Sequence, residues 1–241
     1  MALPKIDTPT YELTLPLSKK KIKYRPFLVK EQKNLLMALE SKETETIQRA
    51  IRDILTNCTI TENILIDSLP ILDVEYYFIQ LRAKSVGEMV EVRYLCNNFV
   101  EEKECGNVMQ SEIDVTKVEL RKEKDIEDVI QLTDTISMKL KYPEFAFIDR
   151  AQEYENVSDM TFSMIAKSVE YVYDGEQFYY ANEVKEKELV EYIENLSPSQ
   201  FSKIEEFFGN LPRLEQNIDV TCNKCGFNHN IVVEGLESFF I

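Results

Sequence analysis

The alternation of apolar and polar residues near the start of the chain predicts a β-hairpin. Residues 11–17 alternate as Tyr-Glu-Leu-Thr-Leu-Pro-Leu, and residues 21–27 alternate again after the polar turn at residues 18–20. A period of two places every second side chain on the same face of a strand. Two such segments around a short polar turn are typical of adjacent antiparallel strands.

Apolar residues at spacings of three and four then predict helices. The pattern runs through residues 29–39, continues in residues 44–58, and returns in a segment that begins at residues 67–70 and ends near Lys84. Thr44 is suited to cap the second of these helices, since its hydroxyl can accept a hydrogen bond from a free backbone amide. The proline at the start of the third is tolerated in a first helical turn.

The rest of the chain contains segments with the strand period of two and segments with the helical spacing of three and four. Further strands are predicted at 88–96, 106–115, 125–132, 136–142 and on both sides of Cys222 and Cys225. Further helices are predicted at 144–156, 160–169 after a Ser158-Asp159 cap, 185–196, and 198–208 after a Ser197 cap. The Asp-Gly pair within residues 171–180 predicts a tight hairpin.

These elements predict an α+β fold in which helices accompany several antiparallel β-hairpins, two of them tipped by cysteines in the manner of a zinc ribbon. Three parts are expected. Residues 1–85 form the N-terminal hairpin and helices, and residues 86–157 form the first cysteine hairpin and a sheet region. Residues 158–241 form a helical region with the second cysteine hairpin, packed on the middle part through the cysteine site.

Four of the five cysteines lie in two similar places more than a hundred residues apart. Cys96 ends one strand-like segment and Cys105 begins the return, while Cys222 and Cys225 form a Cys-x-x-Cys turn, and a glycine follows each pair. Two thiolates at the tip of each hairpin supply the four sulfurs of a tetrahedral structural zinc site. We therefore predict that these four cysteines bind one structural Zn²⁺ ion.

Other interpretations of the cysteines remain open. Eight residues separate Cys96 from Cys105, and His229, the only histidine, could replace either of them as a ligand. Free thiols or a disulfide are further alternatives, although an odd number of cysteines without secretory features disfavours a disulfide. Cys58 follows helical spacing and is expected to be a small buried apolar residue.

Charge and composition narrow the classes of function. The net charge of −15 disfavours nucleic acid, because phosphate binding requires basic patches. No apolar stretch approaches the ~20 residues that span a bilayer, and the first residues lack the apolar run of a signal peptide, so synthesis in the cytosol is expected. With only 6 glycines, a glycine-rich phosphate loop is not expected. We expect no nucleic acid, membrane or small-molecule substrate.

Catalysis is not expected either. The only histidine stands beside the second cysteine pair, and a four-sulfur zinc site has no open coordination position for a substrate or water. The clearest candidate for protein binding is instead the apolar C-terminus, Phe239, Phe240 and Ile241, because an apolar chain end is frayed unless it docks on a surface.

One group of motifs resembles a known family. The N-terminal hairpin leads through Arg25-Pro26-Phe27-Leu28-Val29-Lys30-Glu31-Gln32 into a helix, the two cysteine hairpins follow, and the chain closes on Gly-Leu-Glu-Ser-Phe-Phe. Together these motifs resemble the baseplate hub and hub-assembly proteins of T-even-like contractile-tailed phages, over most of the chain.

The resemblance implies a structural or assembly protein of the baseplate hub, without enzymatic activity. Its expected partners are other phage tail baseplate proteins, and its expected location is the virion tail baseplate, assembled in the host cytoplasm. The alternative hypothesis is a zinc-ribbon adaptor of a transcription or other nucleic-acid machine. Copurification with tail proteins, rather than with polymerase or DNA, would distinguish the two.

Overall fold

The computed structural model describes residues 6–150 and 153–235 of the 241-residue chain. The α-helices are α1 (Val29–Ser41), α2 (Thr44–Cys58), α3 (Ile71–Ser85), α4 (Ala146–Arg150), α5 (Val157–Ser168), α6 (Glu186–Glu194) and α7 (Pro198–Gly209). The strands are β1 (Tyr11–Thr14), β2 (Lys21–Tyr24), β3 (Met89–Leu95), β4 (Phe99–Val100), β5 (Lys103–Glu104), β6 (Val108–Asp114), β7 (Glu119–Arg121), β8 (Val129–Gln131), β9 (Ser137–Leu140), β10 (Val169–Tyr173), β11 (Phe178–Tyr180), β12 (Arg213–Thr221) and β13 (Asn228–Glu234). The predicted α+β class is confirmed.

Every strand pair in these sheets is antiparallel. Three sheets are two-stranded hairpins, namely β1-β2, β3-β6 and β4-β5. A four-stranded sheet has the order β11-β10-β9-β8, and a three-stranded sheet has the order β13-β12-β7. Among the described helices, none is both long and apolar enough to cross a membrane.

The chain divides into two compact units. The first contains Met1–Ile64, Leu72–Arg121 and Arg213–Ile241, and the second contains Leu65–Ile71 and Lys122–Pro212. In the first unit, apolar side chains of α3 form a core with β3, β6, β12 and β13. In the second unit, the inner face of the four-stranded sheet packs on α5, α6 and α7. The predicted division into three parts, with boundaries after residues 85 and 157, stays a prediction.

Buried carboxylates position the start of the first unit. Glu31, in the first turn of α1, accepts hydrogen bonds from the Leu28 amide at 2.7 Å and from the Arg25 guanidinium at 3.1 Å. Burial raises the pKa of Glu31, but these hydrogen bonds and the positive charge of Arg25 outweigh it and leave the pKa below its usual value. Asp73, in the first turn of α3, accepts the amides of Leu17 and Ser18, each at 2.8 Å. The Arg-Pro-Phe-Leu-Val-Lys-Glu motif therefore builds a helix start.

Most predicted elements are confirmed, but two caps are wrong. The cap of α2 is Glu43, and Thr44 is the first helical residue. The cap of α5 is Asn156, whose side chain accepts the Asp159 amide at 2.8 Å, so Ser158 already belongs to the helix. In both cases the most obvious capping residue already belongs to the helix. The Ser197 cap of α7 is confirmed.

Candidate metal centre

The Cys-x-x-Cys turn between β12 and β13 is a tight knuckle, here called the second knuckle (residues 222–226). The Cys222 amide donates to the Phe227 carbonyl at 2.8 Å, and the Gly226 amide donates back to the Cys222 carbonyl at 2.8 Å. Gly226 has φ of +74°, a left-handed conformation that glycine adopts without steric cost. This turn brings both cysteines of the knuckle to the tip of a hairpin in which seven residue pairs are in register.

The segment from Cys96 to Gly106, here called the first knuckle, closes in the same way despite its greater length. The Cys96 amide donates to the Asn107 carbonyl at 2.8 Å, and the Gly106 amide donates to the Cys96 carbonyl at 3.0 Å. Gly106 has φ of +59°. The intervening residues fold as the small β4-β5 hairpin, so the insertion projects from the knuckle without opening it.

The two knuckles bring four thiol groups together. The sulfurs of Cys96, Cys105, Cys222 and Cys225 all lie within 4.8 Å of one another. The Sγ atoms of Cys96 and Cys225 are 3.7 Å apart, and those of Cys105 and Cys222 are 3.8 Å apart. A tetrahedron with metal–sulfur bonds of 2.3 Å has sulfur–sulfur edges of about 3.8 Å, so these spacings fit a tetrathiolate zinc site.

Apolar side chains form one part of the surroundings of the four sulfurs. Cys96, Cys105 and Cys222 are buried and Cys225 is partly exposed. Met109 and Val220 are buried in the same cluster, and Ile218 and Ile231 pack against it. Such a site excludes bulk water from most of the coordination sphere. Four sulfurs also fill a tetrahedral ion, so a bound metal would have a structural role and no open position for a substrate.

The thiols differ in their electrostatic environments. Backbone amides of Cys225 and Lys224 point at Cys222 and lower its pKa to about 6, although burial acts in the opposite direction. The Phe227 amide lowers the pKa of Cys225 in the same way. Burial instead raises the pKa of Cys96 to about 12. Backbone amides therefore outweigh burial at both cysteines of the second knuckle, whereas at Cys96 burial outweighs the Asn98 backbone amide.

Four polar side chains surround the sulfurs. Asn98 donates its amide to the Cys225 sulfur at 3.7 Å, and Asn107 donates to the Cys222 sulfur at 3.5 Å. His229 Nε2 lies 3.2 Å from the Cys96 sulfur, and Lys224 Nζ donates to the Cys105 carbonyl at 2.9 Å. The two asparagines and the lysine were not predicted from the sequence, although each lies within two residues of a cysteine. Their closeness to cysteines in the sequence is the feature that could have indicated a role at the site.

The other residues singled out in the sequence are Cys58, His229 and the C-terminal Phe239, Phe240 and Ile241. Cys58 is fully buried at the end of α2, as expected, and does not belong to the cysteine cluster. His229 lies close to one sulfur, but it does not belong to the group of mutually close ligand atoms found among the described residues. The proposed interface residues Phe239, Phe240 and Ile241 lie outside the described residues.

Comparison with known proteins identifies the family. The model of the T4 bacteriophage base plate protein family matches residues 8–241. The chain belongs to this family. It is also 24% identical over 231 residues to the baseplate hub assembly protein gp26 of Enterobacteria phage T4, an alignment that covers 95% of this chain and 97% of that relative. No solved structure matches the chain. The family resemblance found in the sequence is thereby confirmed, and the cysteine cluster belongs to a base plate protein.

Proposed function

We propose that this chain is an assembly component of the baseplate hub of a contractile phage tail. The observation that carries the proposal is the family match over residues 8–241, supported by the relative named as a hub assembly protein. The chain would act without catalysis, as a scaffold that binds other baseplate proteins, and would reach the virion tail baseplate during assembly in the host cytoplasm.

We further propose that a structural Zn²⁺ ion holds this scaffold together. Cys96, Cys105, Cys222 and Cys225 would be its four ligands, because their sulfurs have tetrahedral spacing and their surroundings are largely apolar. Bound zinc would supply four strong bonds between the β3-β6 hairpin and the β12-β13 hairpin. Its binding free energy would then contribute directly to the folding free energy, as in small zinc domains.

The experiment that tests the hub function is complementation. The gene would be deleted from the phage that encodes this chain and supplied in the host as wild type, as Cys225→Ser, or as Cys58→Ala. We expect deletion to abolish completed hubs and tails in electron micrographs, and we expect wild type and Cys58→Ala to restore them. Normal tails after deletion would contradict the proposal, and copurification of the chain with RNA polymerase would favour the adaptor hypothesis.

The proposed structural zinc site is here called the zinc staple. It is tested by elemental analysis of protein purified without chelator, together with a thiol titration. We expect one zinc per chain, and we expect the four cluster thiols to react only after a chelator is added, while the fully buried Cys58 reacts only on unfolding. Four cluster thiols that react without a chelator, together with an absence of metal, would contradict the staple while leaving the hub function untouched, so the two parts of the proposal can fail separately.

A further inference from the structure

The hydrogen bonds between nitrogen-bearing side chains and the sulfurs of the cysteine cluster all run from one hairpin to the other. Asn98 and Asn107 belong to the β3-β6 side and donate to sulfurs of Cys225 and Cys222, on the β12-β13 side. His229 belongs to β13 and reaches back to the sulfur of Cys96. Three of the four sulfurs therefore each have one side-chain nitrogen at hydrogen-bond distance, and in every case that nitrogen comes from the opposite hairpin.

We propose that Asn98, Asn107 and His229 are positioning residues that each donate one hydrogen bond to a different zinc thiolate across the two hairpins. This inference rests on the proposed zinc staple. It adds that the second hairpin is recognised by polar side chains as well as by the metal, and that the inserted β4-β5 segment has a role in the site through Asn98.

Charge explains why such donors are needed. Zn²⁺ with four thiolates carries a net charge of −2, and a buried charge without hydrogen bonds or a counter-charge is costly. An N–H donor on each of three thiolates spreads that charge, and the Lys224 ammonium, 2.9 Å from the Cys105 carbonyl, brings a positive charge to the backbone of the fourth cysteine. Donors of this kind also fix the orientation of their ligands, as partners of metal-bound residues commonly do.

His229 acts in this arrangement as a donor and not as a ligand. Its Nε2 lies at hydrogen-bond distance from one sulfur, 3.2 Å, whereas the group of mutually close ligand atoms contains the four cysteines alone among the described residues. The Phe227 ring packs edge-on against the imidazole at 4.7 Å between centroids, which holds the ring in place. With Nε2 protonated, the imidazole donates to the Cys96 thiolate and leaves all four coordination positions to sulfur.

The test measures zinc affinity by competition with a chelator of known affinity, using the full chain. Asn98→Leu, Asn107→Leu and His229→Phe keep approximate shape and remove the donor, and each is expected to weaken zinc binding by roughly 10- to 100-fold. The matched control is Asn97→Leu, which makes the same chemical change at the exposed residue between Cys96 and Asn98 and should stay within about twofold. His229→Gln restores an N–H donor and should recover part of the loss.

Cobalt substitution separates a donor from a ligand. Co²⁺ bound to four thiolates in tetrahedral geometry gives intense absorption bands in the visible range. These bands should keep their positions in His229→Phe. A shift of the bands in that variant would show that His229 binds the metal and would overturn its assigned role. Unchanged zinc affinity in all three donor variants would overturn the whole inference, and a wild-type chain that takes up no zinc would overturn the staple and the inference together.

Discussion

The first and second knuckles reach the same backbone geometry from different lengths of chain. In both, the first cysteine and the residue after the glycine are joined by an amide-to-carbonyl bond of 2.8 Å, and the glycine has positive φ. The second knuckle needs two residues between its cysteines, whereas the first uses eight and folds them into β4-β5. The closing hydrogen bonds and the glycine therefore define a thiolate knuckle, whereas the spacing of its cysteines does not.

The electrostatics of the knuckles differ more than their geometry. Backbone amides of the second knuckle lower the pKa of both of its cysteines, while burial raises the pKa of Cys96 in the first. The first knuckle in turn supplies the two asparagine donors. The halves are therefore complementary, since side chains of each hairpin reach sulfurs of the other. Four sets of substitutions test how far the two knuckles are equivalent.

The largest effect is expected from removing a ligand. Cys225→Ser should lose stoichiometric zinc and lower Tm by roughly 20 °C or more, since structural zinc contributes on the order of 10 kcal/mol in small zinc domains and each kcal/mol shifts Tm by about 2–4 °C in a chain of this size. The measurement is elemental analysis with thermal unfolding followed by circular dichroism. Cys58→Ala is the control, because it removes a buried thiol of the same unit outside the cluster and should keep the zinc. Equal Tm values for Cys225→Ser and wild type would contradict a structural site.

A smaller effect is expected from shortening the first knuckle. Replacing residues 97–104 by Asn-Lys would give it the same cysteine spacing as the second. If the closing hydrogen bonds define the knuckle, the shortened chain should still bind one zinc. Its affinity should fall by roughly tenfold, because the Asn98 donor is lost. Zinc titration decides the matter, and complete loss of binding would show that the insertion is essential to the site.

The two glycines should respond alike. Gly106→Ala and Gly226→Ala should each cost about 1 kcal/mol of stability, because alanine is strained at positive φ although open space surrounds both positions. Gly209→Ala is the matched control, because that glycine ends α7 without positive φ, so the change should be neutral or slightly stabilising. Urea unfolding measures all three. A cost at only one knuckle would refute their equivalence.

The smallest effect, of opposite sign, is expected at the tip of the insertion. Glu101 and Glu102 have φ of +48° and +64°, which is the backbone of a two-residue turn that favours Asn-Gly. Replacing the pair by Asn-Gly should stabilise the chain by about 0.5 kcal/mol without changing zinc affinity. Destabilisation on urea unfolding would mean that the two glutamates make contacts that outweigh their strain.

The sequence predicts the local parts of this fold well and the distant pairings poorly. Helices α2 and α7 and the β12-β13 hairpin follow from periodicity and turn residues that lie close together in the chain. The pairing of β7 with β12 joins Arg121 to Arg213 and was not predicted, because three residues of strand carry too weak a pattern. The β4-β5 hairpin was missed for the same reason, since each strand has two residues and a charged turn.

The candidate site was predictable to the extent that it depends on residue type. Four cysteines in two strand-flanked pairs, each followed by glycine, specify which sulfurs meet. The wide spacing of the first pair indicates a knuckle with an insertion at residues 97–104, and this interpretation is confirmed, because the insertion folds on its own and leaves the closing bonds intact. The donors Asn98 and Asn107 could not be assigned, because their targets lie 127 and 115 residues away and depend on how the hairpins face each other.

The division of the chain into units also determines the order in which the segments of each unit are completed during synthesis. The second unit is complete once Pro212 has left the ribosome, since all its segments lie at or before that residue. The first unit begins earlier but cannot close its three-stranded sheet until β12 and β13 have been made. Domains generally fold as units during translation. The segments of the second unit are thus available for folding before those of the first, and Cys96 and Cys105 have no partner thiols until residues 222–225 have been made.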